Sequence, residues 1–157
     1  MIEVTKTMKT ETAHRLMDYV GKCAGVHGHS YLWEVTARRE DGAVGSNGIA
    51  IDFADLKAAM RSCIYDKFDH ALVLSRTDPL VDAEVMKYDS NGNKQKVFSF
   101  YDNPTAEHFA VWASGELQRF CDKREIGGKY GDRSHIVITR VMVWETVNSH
   151  AVWNRGS

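Results

Sequence analysis

The hydrophobic and polar positions along this protein change period several times. "IEVTKTMKTETAHRL" is rich in Thr and Val and predicts a strand, with Thr10, Thr12 and His14 on one side. "SYLWEVTARRE" alternates in the same way and predicts a second strand, starting near His29 and ending at the turn-rich "GAVGSNG". "GIAIDFADLKAAMRSCIYDKF" begins strand-like and becomes helical. Phe53, Leu56, Met60 and Ile64 recur there at helical spacing behind Asp52, an N-cap with Asp55 three residues on.

In the middle, "DSNGNK" is a strong turn signal between the short strand-like pieces "AEVMKY" and "QKVFSFY", and the three together could close as a hairpin. A second helix is predicted with Asn103 as its cap, Pro104 in its first position and a stripe of Phe109, Trp112, Leu117 and Phe120. "SHIVITRVMVWETVNSHAVW" reads as one long closing strand. Val137, Val141 and Val143 fall on one face, and Ile136, Ile138, Met142 and Trp144 on the other, so both faces should be buried. Strand, strand, helix, hairpin, helix, strand predicts the α+β class, an antiparallel sheet with helices on one face. The regular βαβ alternation of a doubly wound fold is absent.

Composition narrows the class of function. At 157 residues, a single domain over 1–157 with a real core is expected, and there is no internal repeat or low-complexity tract. The formal net charge of -1 argues against a nucleic-acid or membrane partner. No apolar run is long enough to span a bilayer, and "MIEVTKTMKTETAH" has no apolar signal core. Three cysteines, an odd number, argue against a disulfide framework. A reduced, cytoplasmic protein is the expectation.

The candidate chemistry centres on "GKCAGVHGHSYLWEV". His27 and His29, two apart on a strand, point to one face, and His14 on a neighbouring strand could complete a three-imidazole metal site. Three protein nitrogens leave a fourth tetrahedral position open, as in catalytic zinc sites. Cys23 has two readings: a fourth ligand that closes the site, or a thiolate beside the metal acting as base or nucleophile. Cys63 and Cys121 fall in helical patterns and read as packing residues. Asp69 and His70 in "FDHALVL" could work as a carboxylate-oriented imidazole, although strand neighbours point apart and direct contact would need a turn. Glu145 ends an apolar row and requires a partner, either an arginine or the paired N–H donors of a guanidine-like ligand edge such as that of a pterin or guanine. Glu107 lies in a first helical turn, where the helix dipole favours it whatever it binds.

"TAHRL", "CAGVHGHSY", "IDFADLK", "DHALVL", "NPTAEHFA" and "VWET", in this order over residues 12 to 146, resemble the 6-pyruvoyl-tetrahydropterin synthase and 6-carboxytetrahydropterin synthase family. The resemblance implies a tunnelling (T-fold) domain: a four-stranded antiparallel sheet with two helices on one side, joined with other copies into a barrel as a trimer or hexamer. It implies that His14, His27 and His29 hold a catalytic zinc and that Cys23 is the proton acceptor. It also implies that Asp69 and His70 form a proton relay reaching Cys23 across a subunit boundary, and that Glu145 anchors the pterin and joins the relay. Thr105 and Glu107 fall in a segment near the pterin pocket. The implied reaction is a zinc-dependent lyase step on 7,8-dihydroneopterin triphosphate. The short gap between Cys23 and His27 looks like the 6-carboxy branch, which releases acetaldehyde and triphosphate and supplies queuosine and other 7-deazaguanines. The alternatives are a 6-pyruvoyl product from the same substrate, or a non-catalytic zinc module. The chain departs from the family pattern in a turn-rich insertion around 78–102 and in Trp153, where many members carry tyrosine.

Overall fold

Strands β1 (Val4–His14) and β2 (His27–Arg39) pair antiparallel along their whole length, Val4 opposite Ala37 and His14 opposite His27. The structure is a computed structural model that describes residues 1–123 and 135–156. The alternation in β1 places Thr10, Thr12 and His14 on the inner face, each 1–3% exposed. In β2 the inner row continues through Tyr31, Trp33, Val35 and Ala37, all fully buried.

Six strands form the sheet, in the order β4-β3-β1-β2-β5-β6. β3 (Ala71–Ser75) runs parallel to β1, and β4 (Lys96–Phe100) runs parallel to β3; the other pairs are antiparallel. The expected four-stranded antiparallel sheet is therefore corrected to a six-stranded mixed one. Two local features account for the difference. First, the 78–102 segment closes as a hairpin only immediately around its turn. Glu84–Met86 is a 3-10 turn, and the "DSNGNK" turn, where Asp89 Oδ1 accepts the Asn91 and Asn93 amides at 2.8 and 2.9 Å, supports the antiparallel bridge Tyr88–Lys94, flanked by Asp89 N to Asn93 O at 2.8 Å and Gln95 N to Lys87 O at 3.0 Å, rather than a longer ladder. The segment instead works as the long crossover that a parallel pair requires, and delivers β4 to the sheet edge.

Second, the closing strand is two strands. β5 (Ile136–Thr146) turns at Val147–Asn148 into β6 (Ser149–Asn154). Ser134, the first residue of the predicted strand, lies outside the described residues. The β2–β5 register slips between Thr36 and Ala37, leaving Thr139 as an extra residue. Such a bulge reverses the alternation. Ile136 and Ile138 thus join Val141 and Val143 in the core rather than facing away from them. β5 is nonetheless buried on both sides, with Val137 at 8% and Met142 at 6%.

The helices cover one face. Helix α1 (Phe53–Met60) starts at Asp52, whose Oδ1 accepts the Ala54 amide at 2.8 Å, and runs through a π-helical turn (Arg61–Tyr65) into α2 (Asp66–Phe68). The strand-like start before it is irregular, with Ile51 buried. Helix α3 (Ala106–Lys123) packs Phe109, Ala113 and Leu117 on the sheet. Phe68 centres the core, its ring 4.8 Å from Phe109 and 5.0 Å from Trp33. Truncating an aromatic at such a place to Ala costs about 3–5 kcal/mol. Trp153 is half-buried against this core, and Cys63 and Cys121 are buried between the helices. Burial and the neighbouring Cys63 push the Cys121 thiol up to about 12, which keeps it protonated. Among the described residues, no helix is long and apolar enough to cross a membrane.

Candidate active site

The β1–β2 register makes His14 and His27 direct cross-strand partners, and the two-residue period of β2 brings His29 to the same face. The ring centroids are 4.5 Å apart for His14 and His27, 4.9 Å for His27 and His29, and 5.3 Å for His14 and His29. One ligand atom from each ring lies within 4.8 Å of the others, and no other side chain joins this group among the described residues. Cys23 is therefore not part of the converging set.

Two backbone carbonyls assign the tautomers. His14 Nδ1 donates to Pro104 O at 2.7 Å and His27 Nδ1 donates to Gly25 O at 2.8 Å, because a carbonyl can only accept. The Nε2 atoms of His14 and His27 therefore carry lone pairs. The Nε2 atoms of His27 and His29 are buried without a hydrogen-bond partner. Burial lowers the pKa of His14 and His29, with His27 acting in the same direction, so both rings are held in the neutral form. Converging ring nitrogens, two of them buried and unpartnered, fit a divalent cation, and the carbonyls behind His14 and His27 are the outer-shell partners that ligating histidines require.

Glu145 borders this cluster. The β5–β6 ladder shifts between Trp144 and Thr146, so Glu145 sits in a bulge, a feature that re-aims a side chain. Its Oε1 accepts the Tyr31 hydroxyl at 2.9 Å and lies 3.5 Å from His14 Nε2 and 3.7 Å from His29 Nε2. Among the described residues no arginine compensates it; a tyrosine does. The sequence pattern does not single out Tyr31, although it continues the His27–His29 row at the next two-residue step. Its own burial, and then the Glu145 carboxylate, raise its pKa far above the ordinary value, with Cys23 and Glu107 adding to the effect. Tyr31 is thus a fixed donor.

Asp69 and His70 do contact each other, through a turn at the start of β3. His70 adopts a left-handed backbone, φ 53°, and its Nδ1 lies 2.9 Å from Asp69 Oδ2. The turn is tied to β1 twice, by Glu11 N to Asp69 Oδ1 at 3.0 Å and His70 N to Glu11 O at 2.7 Å. Burial acts to raise the Asp69 pKa, but the Glu11 amide, His70 and the Tyr65 hydroxyl outweigh it and hold the carboxyl low. The His70 ring is 80% exposed. His29 and His70 line one cleft of about 460 Å³ on the side of the sheet that carries Glu11 and Ser30.

Cys23 is half-buried in a 3-10 turn (Lys22–Ala24), its carbonyl accepting the Leu16 amide at 2.9 Å. Thr105, rather than Asn103, caps α3: its Oγ1 accepts the His108 amide at 3.3 Å and its carbonyl accepts the Phe109 amide at 2.9 Å. Glu107 is exposed in the first turn.

Fold and site together define an α+β protein whose three-histidine centre is mounted on the paired ends of its first two strands. The chain belongs to the 6-pyruvoyl tetrahydropterin synthase family, whose model matches residues 3–155. Its similarity to curated relatives includes the 6-carboxy-5,6,7,8-tetrahydropterin synthase of Rickettsia typhi, 31% identical over 94% of this chain and 96% of that protein. The protein of the same name from Rickettsia bellii is 27% identical over the same shares. Among solved structures, the 6-pyruvoyl tetrahydropterin synthase of Caenorhabditis elegans superimposes with a TM-score of 0.62 at 23% identity, over 99% of this chain and 96% of that one, a likeness of fold.

Proposed function

We propose that the protein is a zinc-dependent lyase that converts 7,8-dihydroneopterin triphosphate to 6-carboxy-5,6,7,8-tetrahydropterin, with loss of acetaldehyde and triphosphate. The names carried by its curated relatives favour this branch over the 6-pyruvoyl product. The observation that carries the reading is the trio of ring nitrogens that converge from His14, His27 and His29, with the Nε2 atoms of His27 and His29 buried and unpartnered. Three protein donors without a fourth leave room for substrate oxygens, which favours catalysis over a closed structural site. Bound zinc would supply the Lewis acidity that makes a substrate C–H next to a coordinated oxygen removable.

The protein's own groups do the rest. Cys23 accepts the substrate proton as a thiolate. Asp69 orients His70 through the contact with its Nδ1, so the ring can take the proton onward. Glu145 stands beside the imidazoles with one acceptor engaged by Tyr31 and a second free for the N–H edge of a pterin. Thr105 and Glu107 belong to the same end of the molecule and contribute to the pterin pocket. The exposed His70 ring and the helix-free sheet face, which carries Leu32, Trp144 and Val152, support assembly with further copies into a trimer or hexamer that brings one protomer's relay to another's Cys23. The product would enter queuosine and 7-deazaguanine biosynthesis in the cytoplasm. Incubation of the purified protein with dihydroneopterin triphosphate and mass analysis tests this. 6-Carboxytetrahydropterin and acetaldehyde are expected; a 6-pyruvoyl product, or none, overturns it.

A further inference from the structure

The sequence pattern makes Asn103 the cap of α3, but its side chain reaches away from the helix. Its Oδ1 accepts the Met17 amide at 2.7 Å, and its Nδ2 donates to the Met17 carbonyl at 2.8 Å. One primary amide thus meets both polar groups of one backbone residue, as a neighbouring strand would. Three segments that carry the site meet at this clasp. Pro104, the next residue, provides the carbonyl that receives His14 Nδ1 at 2.7 Å. The Asn103 carbonyl itself accepts the Thr105 amide at 2.9 Å and the His108 ring at 2.8 Å, and so fixes the start of α3 ahead of Glu107. On the other side, Leu16, which precedes Met17, donates its amide to the Cys23 carbonyl.

We infer that Asn103 is a positioning residue for the metal centre: its clasp on Met17 holds the Pro104 carbonyl where it sets the tautomer and aim of the His14 ring. This rests on the metal reading above. The physical case is that β1 ends at His14, and no ladder holds the backbone beyond it. The clasp ties the Asn103–Pro104 turn directly to the backbone three residues beyond His14, beside the bond that it helps to orient. A ligating imidazole whose outer-shell acceptor drifts loses basicity and direction at Nε2, and such losses weaken metal binding about 10- to 100-fold.

A built-in control separates positioning from general stability. Gln118, 13 residues beyond Thr105 on α3, makes the same kind of clasp on β5, with Nε2 to Ile136 O at 2.9 Å and Ile138 N to Oε1 at 3.0 Å. It lies roughly 20 Å along the helix from the metal end at 1.5 Å per residue.

The test measures zinc affinity by competition with a chromophoric chelator, together with melting temperature, for the full-length protein and three variants. N103A is expected to bind zinc at least tenfold more weakly and, loaded with cobalt(II), to show an altered visible spectrum. N103D keeps the acceptor for the Met17 amide and lacks the donor, so its loss should be intermediate. Q118A should melt lower than the parent and keep the parent's affinity and spectrum. Should N103A fail to fold, the comparison of N103D with Q118A at matched melting temperature decides. Asn103 variants with parental affinity, or a Q118A loss as large as theirs, overturn the inference and leave the metal reading intact. A parent protein that takes up no zinc overturns the metal reading and the inference with it.

Discussion

The Tyr31 hydroxyl donates to Glu145 Oε1 at 2.9 Å and stands 3.2 Å from His14 Nε2. A tyrosine has one proton to give. With that proton on Glu145, and with the His14 ring protonated at Nδ1, the His14 Nε2 lone pair faces the oxygen without a hydrogen bond to receive. Tyr31 thus compensates the carboxylate while leaving the imidazole available.

This pairing decides what Glu145→Gln should do. The glutamine Oε1 can still accept from Tyr31, so the melting temperature should change little. The new amide would present an N–H donor to the donor edge of a pterin. Charge-assisted bonds of this kind contribute about 1.5–3 kcal/mol, so pterin affinity should fall by roughly ten- to a hundredfold. Calorimetric titration with a pterin lacking the triphosphate side chain measures it. A less stable variant with unaltered pterin affinity would remove Glu145 from the binding site.

Arg15, directly after His14, reaches back to the 78–102 segment. Its guanidinium meets both oxygens of Asp78, at 2.5 and 2.7 Å, and the Asp78 side chain is fully buried. Oδ1 also accepts the Leu80 amide at 2.8 Å. Arg15 keeps 22% of its side chain exposed, so the loss is that of the charge-assisted bonds, about 1.5–3 kcal/mol, and Asp78→Ala should lower the melting temperature by roughly 5–10 °C in a protein of this size. The bond to Arg15 is the main reason that the Asp78 pKa lies below its ordinary 3.8. A depressed carboxylate pKa contributes stability that is fully present above 3.8 and is lost as the pH falls through the lower folded value. The gap in melting temperature between the parent and Asp78→Asn should therefore be constant above about pH 5 and shrink below pH 3.8. A gap that widens on acidification would assign the stabilisation to another group.

Cys23 lies outside the converging trio of ligand atoms. On the proposed reading, in which Cys23 accepts a proton and holds no metal, Cys23→Ala should keep metal content at one equivalent and abolish turnover. Atomic absorption on the purified variant, run beside the product assay, reads both. Loss of metal together with activity would make Cys23 a ligand and revive the closed-site alternative.

The parts of the fold and site that the sequence shows are those set by near neighbours. The His14, His27 and His29 cluster follows from a two-residue period and one hairpin-like register, and the capping of α1 from Asp52 alone. The parts it hides depend on pairing choices or on one residue's backbone. β3 and β4 are five residues each, and nothing local says that they run parallel beside β1. Thr139 looks like any strand residue, yet as a bulge it exchanges the faces of Ile136 and Ile138. Asn103 before Pro104 has the chemistry of a cap; only the tertiary approach of Met17 turns its amide elsewhere. Tyr31 is hidden because a tyrosine in a strand is usually a packing residue, and its role depends on the bulge that turns Glu145 toward it.

His70 owes its contact with Asp69 to a left-handed backbone at φ 53°. That conformation dictates how its role should be tested. Alanine at a left-handed position is strained by roughly 1–2 kcal/mol, so His70→Ala would perturb the turn as well as delete the ring. Asparagine tolerates this region, and His70→Asn therefore removes the imidazole while preserving the Glu11 bonds that tie the turn to β1. If His70 carries a proton in the reaction, this variant should lose on the order of a hundred- to ten-thousandfold in kcat. Its melting temperature and zinc content should match the parent. Because the ring is 80% exposed, little burial is lost with it. A companion Asp69→Asn should lower kcat by a smaller factor with little change in melting temperature, since its Oδ1 can still accept the Glu11 amide while the acceptor facing the ring is replaced by a donor. Steady-state kinetics on both variants, at saturating substrate, separate the roles. A His70→Asn enzyme with parental kcat would return the ring to the status of an exposed surface histidine.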